Sequence, residues 1–382
     1  MQIELLSNSL NIEKYLKGLG VDGGGISILA SKATHHIVYI RELHVGAANI
    51  LKQDALSIGA DLAVPRGTVV AKTPYVDCML IATHRQLQTL SKKELLQPFG
   101  LKDVAKKLQD ILKIKKPLNT EVMGVLNANN DSFFAASRFK EGSVIEAIEK
   151  MIEDGATIID IGGVSSAPNS LHVDKDEELK RVRPIFEIIK KEKFYNRVKF
   201  SIDSYRPEVI SCALKSGFGV VNDITGLAND EVSRLCASNG ARAIIMHMQG
   251  TPQTMQDKPD YENILSDVYS FFEQRIKKAE SLGVKDIVLD VGIGFGKTLE
   301  HNLILIKHLE HFLTLGKPIL VGASRKSMID KISPSSVDER LGGTLALHLE
   351  AARNGASIIR AHDVKEHVQA LRVQQALGEV AL

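Results

Sequence analysis

From Glu121 onward, the sequence alternates a short apolar segment with a longer amphipathic segment eight times, and this alternation restricts the possible fold more than any other feature. The apolar segments are rich in β-branched residues, which is typical of buried strands. They cover residues 122–126, 157–161, 199–202, 219–221, 243–246, 287–289, 318–321 and 357–359. Strands that alternate with helices pair in parallel through right-handed crossovers. Eight such units in about 260 residues predict an α/β fold, a closed (β/α)8 TIM barrel. A doubly wound open sheet is the alternative.

The helical segments carry an end signal of their own, a glycine directly after the helical run. Glycine readily takes the left-handed conformation that ends many helices. Six glycines stand at such positions: Gly155, Gly217, Gly240, Gly283, Gly316 and Gly355. They support the predicted helix ends.

The first part of the chain lacks the regular alternation. We predict strands at residues 27–30, 36–40, 68–71 and 79–82, and a helix at 47–58. This pattern favours a small α/β or α+β domain. We place the boundary near Asn119, which gives an N-terminal domain of unknown role at 1–118 and a barrel at 119–382.

Charge and cysteine content exclude several functional classes. Lys and Arg number 48 against 46 Asp and Glu, for a net charge of +2, so a broad nucleic-acid-binding surface is not expected. The three cysteines, Cys78, Cys212 and Cys236, form no CxxC pattern and predict neither a zinc site nor a disulfide framework.

The start of the chain has no signal-peptide pattern, and no apolar run reaches the ~20 residues of a membrane helix. We therefore expect a cytoplasmic protein without a nucleic-acid or membrane partner.

Polar residues follow every predicted barrel strand at its carboxyl end. They are Asn127, Ser165-Ser166, Asp203, Asn222, His247, Asp290, Arg325-Lys326, and Arg360 with His362-Asp363. A single one of them would be read as a helix cap or a turn residue. Because the carboxyl ends of barrel strands converge on one face, where active sites of this fold lie, together they predict an active site.

The chemistry of these residues indicates two kinds of ligand group. Carboxylates and an amide among apolar residues suit a flat heterocycle with N–H donors, and this set is Asp203, Asn222 and Asp290. The cationic and imidazole groups suit a phosphate or pyrophosphate, and this set is Lys326, Arg360 and His362. Asn127 and Asp131 supply oxygen donors suited to Mg²⁺ that bridges to a phosphate.

Residues 291–298, VGIGFGKT, are similar to a phosphate-binding Walker A loop but lack its first glycine, because Val291 stands at that position. The segment also follows the sixth strand of a barrel rather than opening a nucleotide-binding domain. We therefore do not predict a phosphate-binding loop there.

From residue 121 to about 378, the chain resembles the dihydropteroate synthase family. The similar segments, in order, are MGVLNANNDSF, GATIIDIGGVSSAPNS, FSIDSYRPEV, VNDITG, MHMQGTPQTMQ, LDVGIGFGKT, VGASRKSMI and RAHDVKE. The resemblance implies a TIM barrel, commonly dimeric, that uses Mg²⁺ and is the target of sulfonamides. It also implies condensation of 6-hydroxymethyl-7,8-dihydropterin pyrophosphate with 4-aminobenzoate, which gives 7,8-dihydropteroate and pyrophosphate in folate biosynthesis.

Carried onto this sequence, the resemblance assigns a role to each strand end. The pterin ring would be held by Asp203, Asn222, Asp290 and Lys326. The pyrophosphate would be held by Asn127, Ser166, Arg360 and His362, with Asn127 also on the metal. The 4-aminobenzoate pocket would include Phe133, Pro168, Phe295 and Ser327, with Lys326 beside them. We take Asp203, Lys326 and Asp131 as the candidate catalytic residues.

The sequence departs from the family pattern in the first two loops of the barrel. Asn129-Asn130 stand where the family has Thr-Pro, and Ala167 stands where it has an arginine. Ala167 and the added N-terminal domain leave open a non-catalytic pterin-binding paralogue. The shared barrel and pterin ligand leave open a second alternative, a methyltetrahydrofolate–corrinoid methyltransferase. The second is disfavoured by the Ser324–Ser327 run together with Arg360 and His362, which suit a pyrophosphate leaving group.

Overall fold

The computed structural model describes residues 1, 3–4, 6, 10–128, 141–164, 173–250, 255 and 259–380. The chain divides into two compact units, Met1–Lys115 with Ala376–Leu382, and Lys116–Gln375. Each unit has its own cluster of buried apolar side chains. Among the described residues, no helix is both long and apolar enough to span a membrane.

The first unit is built on a three-stranded antiparallel sheet of order β1-β3-β2. Its strands are β1 (His35–His44), β2 (Asp61–Ala63) and β3 (Tyr75–Thr83). Its helices are α1 (Ile12–Gly18), α2 (Gly23–Ala33), α3 (Val45–Ser57), α4 (His84–Lys93) and α5 (Leu101–Lys113). Alternate residues of β3 are buried against these helices, as a period of two requires of a sheet covered on one face. The unit is therefore of the α+β type.

Two predicted strands of this unit are wrong. Residues 27–30 lie inside helix α2, which begins where the Asp22 side chain accepts a hydrogen bond from the Gly24 N–H. Residues 68–71 form a turn, in which Thr68 bonds to the Pro65 carbonyl and Ala71 has a φ of 53°. A short apolar run fits either a strand or one turn of a helix, so its sequence period does not decide between them.

The second unit is a closed barrel of eight strands in the order β10-β11-β4-β5-β6-β7-β8-β9, all paired in parallel. The strands are β4 (Glu121–Asn127), β5 (Ile158–Gly162), β6 (Lys199–Asp203), β7 (Val220–Asp223), β8 (Arg242–Met246), β9 (Ile287–Asp290), β10 (Ile319–Val321) and β11 (Ile358–Ala361). The TIM barrel prediction is confirmed, and the open sheet is excluded.

Helices follow the barrel strands along the chain. They are α6 (Glu141–Glu153), α7 (Lys175–Glu192), α8 (Pro207–Lys215), α9 (Asp230–Asn239), α10 (Ile264–Ser281), α11 (Leu299–Lys307), α12 (Ser327–Ile332), α13 (Leu341–Arg353) and α14 (Val364–Glu379). The six glycines predicted to end helical runs all have positive φ, between 63° and 103°. Those predicted helix ends are confirmed.

The interior of the barrel changes from apolar to polar along the strands. A buried layer fills the inside with one side chain from seven of the strands: Met123, Ile158, Val220, Ile244, Val288, Leu320 and Ile358. Side chains two residues apart on a strand share a face. The next interior position on four of these strands therefore holds Asp160, Asn222, Asp290 and Arg360. The polar layer stands directly on an apolar floor.

Candidate active site

Arg360 and two carboxylates form the centre of the polar layer. The Arg360 Nε donates to Asp160 Oδ2 at 2.6 Å, and its Nη2 donates to Asp203 Oδ2 at 2.9 Å. The Asp160 side chain is fully buried. Burial raises the pKa of Asp203 to about 7, although the Arg360 charge opposes this rise. The site thus holds two carboxylates against a single guanidinium.

Asn222 extends this cluster and leaves acceptors unused. Its Nδ2 donates to Asp160 Oδ2 at 3.2 Å, which orients the amide so that its oxygen is the remaining polar atom. Asn222 Oδ1, Asp160 Oδ1 and the Ser201 hydroxyl are buried and have no hydrogen-bond partner among the described residues. An unpaired buried polar atom costs about 1–3 kcal/mol. The layer is therefore suited to a ligand that brings N–H donors.

Asp290 closes the layer at the end of β9. Its Oδ1 accepts a hydrogen bond from the Gly292 N–H at 2.8 Å, and its side chain is buried. Burial raises the pKa of Asp290, while the Gly292 N–H and the charge of Lys326 act in the opposite direction. A third carboxylate in a dry environment thus lies near a lysine.

Lys326 follows β10 and is held by the loop that follows β9. Its Nζ contacts the Ile293 carbonyl and lies 4.2 Å from the centre of the Phe295 ring. Burial lowers the pKa of Lys326 to about 8, although the nearby charges of Asp290 and Asp203 favour the ammonium form. The ammonium thus stands between the carboxylates and an aromatic face. Ser327, the next residue, is exposed at the first turn of α12.

Ser324 and His362 join the ends of β10 and β11. The His362 N–H donates to Ser324 Oγ at 3.2 Å, and the same Oγ lies 2.9 Å from His362 Nδ1. The Ser324 hydroxyl can donate to Nδ1, and in that tautomer the neutral imidazole carries its hydrogen on Nε2. Burial and the charges of Arg360 and Arg325 lower the pKa of His362. His362 is thus set up as a neutral donor beside cationic groups.

Lys297 organises the loop after β9. Its buried Nζ lies 3.2, 3.0 and 2.9 Å from the carbonyl oxygens of His247, Gly292 and Phe295, and 2.9 Å from His247 Nδ1. Burial lowers the pKa of Lys297 to about 7 and the charge of Lys326 acts in the same direction, while the charge of Asp290 favours the ammonium form. The ammonium is engaged by the protein itself, so this lysine is not presented to a phosphate as in a Walker A loop.

The predicted site residues fall into three groups. The structure brings Asp203, Asn222, Asp290, Lys326 and Arg360 to the carboxyl ends of their strands. His362, Phe295 and Ser327 lie on the loops and the helix start that follow, and Asn127 is the last residue of β4. The other four predicted residues lie outside the described part of the chain: Asp131, Phe133, Ser166 and Pro168.

Sequence reasoning missed Asp160 and Lys297. For β5 we selected Ser165-Ser166, which follow the strand, whereas the inward side chain at the level of Asn222 is Asp160. The period of two, counted back from the strand end, would have identified it. No sequence signal shows that Lys297 is surrounded by carbonyl oxygens, because these come from separate loops.

Comparisons with known proteins point to one family. The family model described as pterin binding enzyme matches residues 123–362. A bifunctional dihydropteroate synthase/dihydropteroate reductase of Helicobacter pylori is 42% identical over 348 residues, which cover 91% of this chain and 92% of the relative. The dihydropteroate synthase of Escherichia coli is 42% identical over 260 residues, 67% of this chain and 90% of that protein.

A solved structure shows the same barrel. The crystal structure of dihydropteroate synthase from Thermus thermophilus in complex with 4-aminobenzoate superposes with a TM-score of 0.61 at 37% identity. The match covers 68% of this chain and 96% of that one. The similarity therefore extends over nearly the whole of a single-barrel enzyme.

Proposed function

This chain belongs to the dihydropteroate synthase family of pterin-binding enzymes, and from that premise we propose how its residues carry out the family's reaction. The reaction is a transfer in folate biosynthesis, in which the exocyclic methylene carbon of the pterin loses pyrophosphate and bonds to the amine of 4-aminobenzoate. The observation that carries the proposal is the buried layer of unpaired acceptors, Asp160 Oδ1 and Asn222 Oδ1, beside Asp203 and Asp290.

The pterin ring would lie on this layer. Its amino and ring N–H groups are donors that match the carboxylate and amide oxygens of Asp203, Asn222 and Asp290. Lys326 would donate to the acceptor atoms of the ring. Asp160, which was not predicted from the sequence, would orient the Arg360 and Asn222 side chains, because its Oδ2 accepts hydrogen bonds from both. The apolar floor below excludes water and strengthens these contacts.

The chemical step would be departure of pyrophosphate followed by attack of the amine. Loss of the leaving group places positive charge on the pterin, and the Asp203 carboxylate would stabilise that charge electrostatically. Arg360 and the Nε2–H of His362 would bind the departing oxygens, which become more negative as the bond breaks. A neutral aromatic amine is already a nucleophile, and the acidic ammonium formed on attack releases its proton to solvent, so no strong base is required.

The residues at the end of β4 fit a magnesium ion. The side-chain oxygen of Asn127 is the kind of hard donor that Mg²⁺ prefers, and this ion keeps several waters and binds substrate phosphates rather than a full protein cage. We propose that Asn127 would hold it, with Asp131, outside the described residues, on the same loop. When bound, the ion would offset negative charge on the leaving group.

The 4-aminobenzoate pocket would lie beside Lys326. Phe295, whose ring faces the Lys326 ammonium, and Ser327, on the first turn of α12, would form its described side. Phe133 and Pro168 are proposed for the remainder. The carboxylate of 4-aminobenzoate would accept from the Ser327 hydroxyl and face the positive end of α12.

The deciding experiment is mass-spectrometric detection of 7,8-dihydropteroate from the two substrates, with Mg²⁺ and with a chelator. We expect product that depends on Mg²⁺, and a decrease of about 100-fold in kcat for Asp203→Asn, which keeps the side-chain size but removes the charge. Asp286→Asn, at the opposite end of the barrel, is the matched control. Pterin binding without product would indicate a non-catalytic paralogue.

A second activity is favoured by the extent of the Helicobacter pylori match. Because its 348 residues exceed the length of the barrel unit, the match must include part of the first unit. We propose that this chain also reduces dihydropteroate. A hydride from a reduced nicotinamide dinucleotide would add to the C6=N5 bond of the pterin, and a solvent proton would complete the tetrahydro product.

This activity can be tested with the full chain, dihydropteroate and reduced nicotinamide dinucleotides, by following tetrahydropteroate. The Escherichia coli relative, which matches 67% of this chain, is the control without a comparable first unit. Product from both proteins or from neither would remove the proposal.

We also propose that the protein is a cytoplasmic homodimer. Its cysteines are free, which suits a reducing compartment. Sedimentation equilibrium at micromolar concentration would test the dimer, and a monomer mass would contradict it.

A further inference from the structure

Two buried histidines lie behind the strand ends and take no part in the proposed chemistry. His348 on α13 and His367 on α14 are each only 1% exposed. His348 Nε2 accepts a hydrogen bond from the Ala323 N–H at 2.9 Å, and its Nδ1 lies 2.8 Å from His367 Nε2. His367 Nδ1 in turn lies 2.6 Å from the Asp363 carbonyl oxygen. The two rings thus connect the turn after β10 to the loop after β11.

The two ends of this connection determine where every hydrogen lies. The Ala323 N–H can only donate, so His348 Nε2 must be bare and His348 Nδ1 must carry the hydrogen. The Asp363 carbonyl can only accept, so His367 Nδ1 must carry the hydrogen and His367 Nε2 must be bare. Only the neutral Nδ1–H form of both rings satisfies all three hydrogen bonds.

The connection holds the two segments that carry the cationic part of the site. Ala323 leads directly into Ser324, Arg325 and Lys326, and Asp363 directly follows His362. The segments are joined a second time, because Arg325 donates to both oxygens of Asp363, at 3.2 and 2.5 Å. Arg325 has a φ of 56°, a conformation that a non-glycine residue keeps only when its surroundings hold it.

We propose that His348 and His367 are positioning residues, a neutral imidazole bridge that fixes the distance between Lys326 and His362 and thereby sets the affinity for the pterin pyrophosphate. This inference rests on the proposed function and adds two residues that the reaction itself does not require. A protonated His367 would direct its Nε2–H at the Nδ1–H of His348, and a protonated His348 would direct its Nε2–H at the Ala323 N–H. The surroundings disfavour that state, because burial lowers the pKa of both rings, and for His348 the neighbouring imidazoles and Lys326 act in the same direction.

The bridge itself is tested by nitrogen-15 NMR of the full chain labelled at its histidines, without any substrate. We expect both rings to be neutral Nδ1–H tautomers at pH 7.5, with assignments from the His348→Leu and His367→Leu variants. The more common Nε2–H tautomer on either ring would overturn the bridge. This measurement does not depend on turnover, so it separates failure of this inference from failure of the proposed function.

The role is tested by a comparison of three variants. His367→Leu removes the bridge, whereas in His367→Gln the amide oxygen can take the place of Nε2 and accept from His348. Leu305→Ala, in the core of the same barrel, is the control for general loss of stability. We expect KM for the pterin pyrophosphate to rise about tenfold in His367→Leu, to stay within about threefold of wild type in His367→Gln, and to be unchanged in Leu305→Ala, with kcat little changed throughout.

Coupling to the site is tested by adding His367→Leu to a His362→Ala background. If the bridge acts through His362, the second substitution should add little to the first. A KM that rises by the same factor in both backgrounds, or that follows the loss of thermal stability in all variants, would overturn the proposal.

Discussion

Asp203 combines an ion pair with a dry environment, and this combination makes its charge sensitive to pH near neutrality. Burial raises its pKa to about 7. The proposed role requires the anion, so the active fraction should decrease as pH falls through this value. We expect kcat/KM, which reports the free enzyme, to fall about tenfold per pH unit below about pH 7 and to level off above it.

The pH dependence can be assigned to Asp203 by measuring the same profile in Asp203→Asn. That variant has no titrating carboxylate at the position, so the residual activity should change less over the same range. A wild-type profile that is flat between about pH 6 and pH 8 would contradict the assignment.

Lys326, which we propose binds the pterin ring, lies within the electrostatic influence of Asp290 and Asp203. Lys326→Ala removes a charged donor from a buried site, and such a contact is worth about 1.5–3 kcal/mol. We therefore expect the dissociation constant for the pterin to rise by about one to two orders of magnitude in titration calorimetry. Lys331→Ala, at an exposed lysine on α12, the helix that follows Lys326, should leave the dissociation constant unchanged. Equal affinity in both variants would exclude Lys326 from the site.

At the scale of single elements, the loop after β9 is fixed by one buried cation. Lys297→Met would keep the approximate length of the side chain but remove a donor from three carbonyl oxygens, of which only that of Gly292 keeps another among the described residues, the Phe295 N–H. We expect the free energy of unfolding to fall by about 3 kcal/mol, because a buried charge network loses its centre. Chemical denaturation measures the loss, and Lys307→Met on the exposed face of α11 is the control. A loss as small as that of the control would show that water replaces the ammonium.

The sequence allowed the strand ends to be predicted but not the environment of Lys297 in this loop. Strand ends could be located because a β/α alternation and glycines after helices are local signals, and Asp203, Asn222 and Asp290 follow from them. Asp160 could have been found from the period of two. The environment of Lys297 could not, because it depends on carbonyl groups that are distant in sequence and meet only in the folded barrel. In the first unit, the segment 27–30 was misassigned because its apolar run is too short to show a period.

At the scale of the whole molecule, the described residues of the two units form separate hydrophobic clusters, one in the first unit and two in the barrel, around and inside its strands. A ligand that binds only the folded barrel stabilises that unit by about 2.7 kcal/mol when present at 100 times its dissociation constant. We expect pterin and pyrophosphate to raise the midpoint temperature of the unfolding transition that includes the barrel, as measured by scanning calorimetry. Titration with 4-aminobenzoate alone is the comparison. A shift of every transition by the same amount would show that the two units unfold together.

Two glycines of the loop after β9, Gly292 and Gly296, restrict the substitutions that this protein can accept. A side-chain carbon on Gly292 would lie 1.9 Å from the His247 carbonyl oxygen, and one on Gly296 would lie 2.5 Å from that of Gln249. Lys297 holds the carbonyl oxygens of Gly292 and His247 in place, and Gly296 has a φ of 62°, which disfavours a side chain at that position. Substitutions at Gly292 and Gly296 that would alter inhibitor sensitivity are therefore expected to disrupt this loop. An inhibitor anchored against Gly292 and Gly296 would therefore meet few viable substitutions at these two positions.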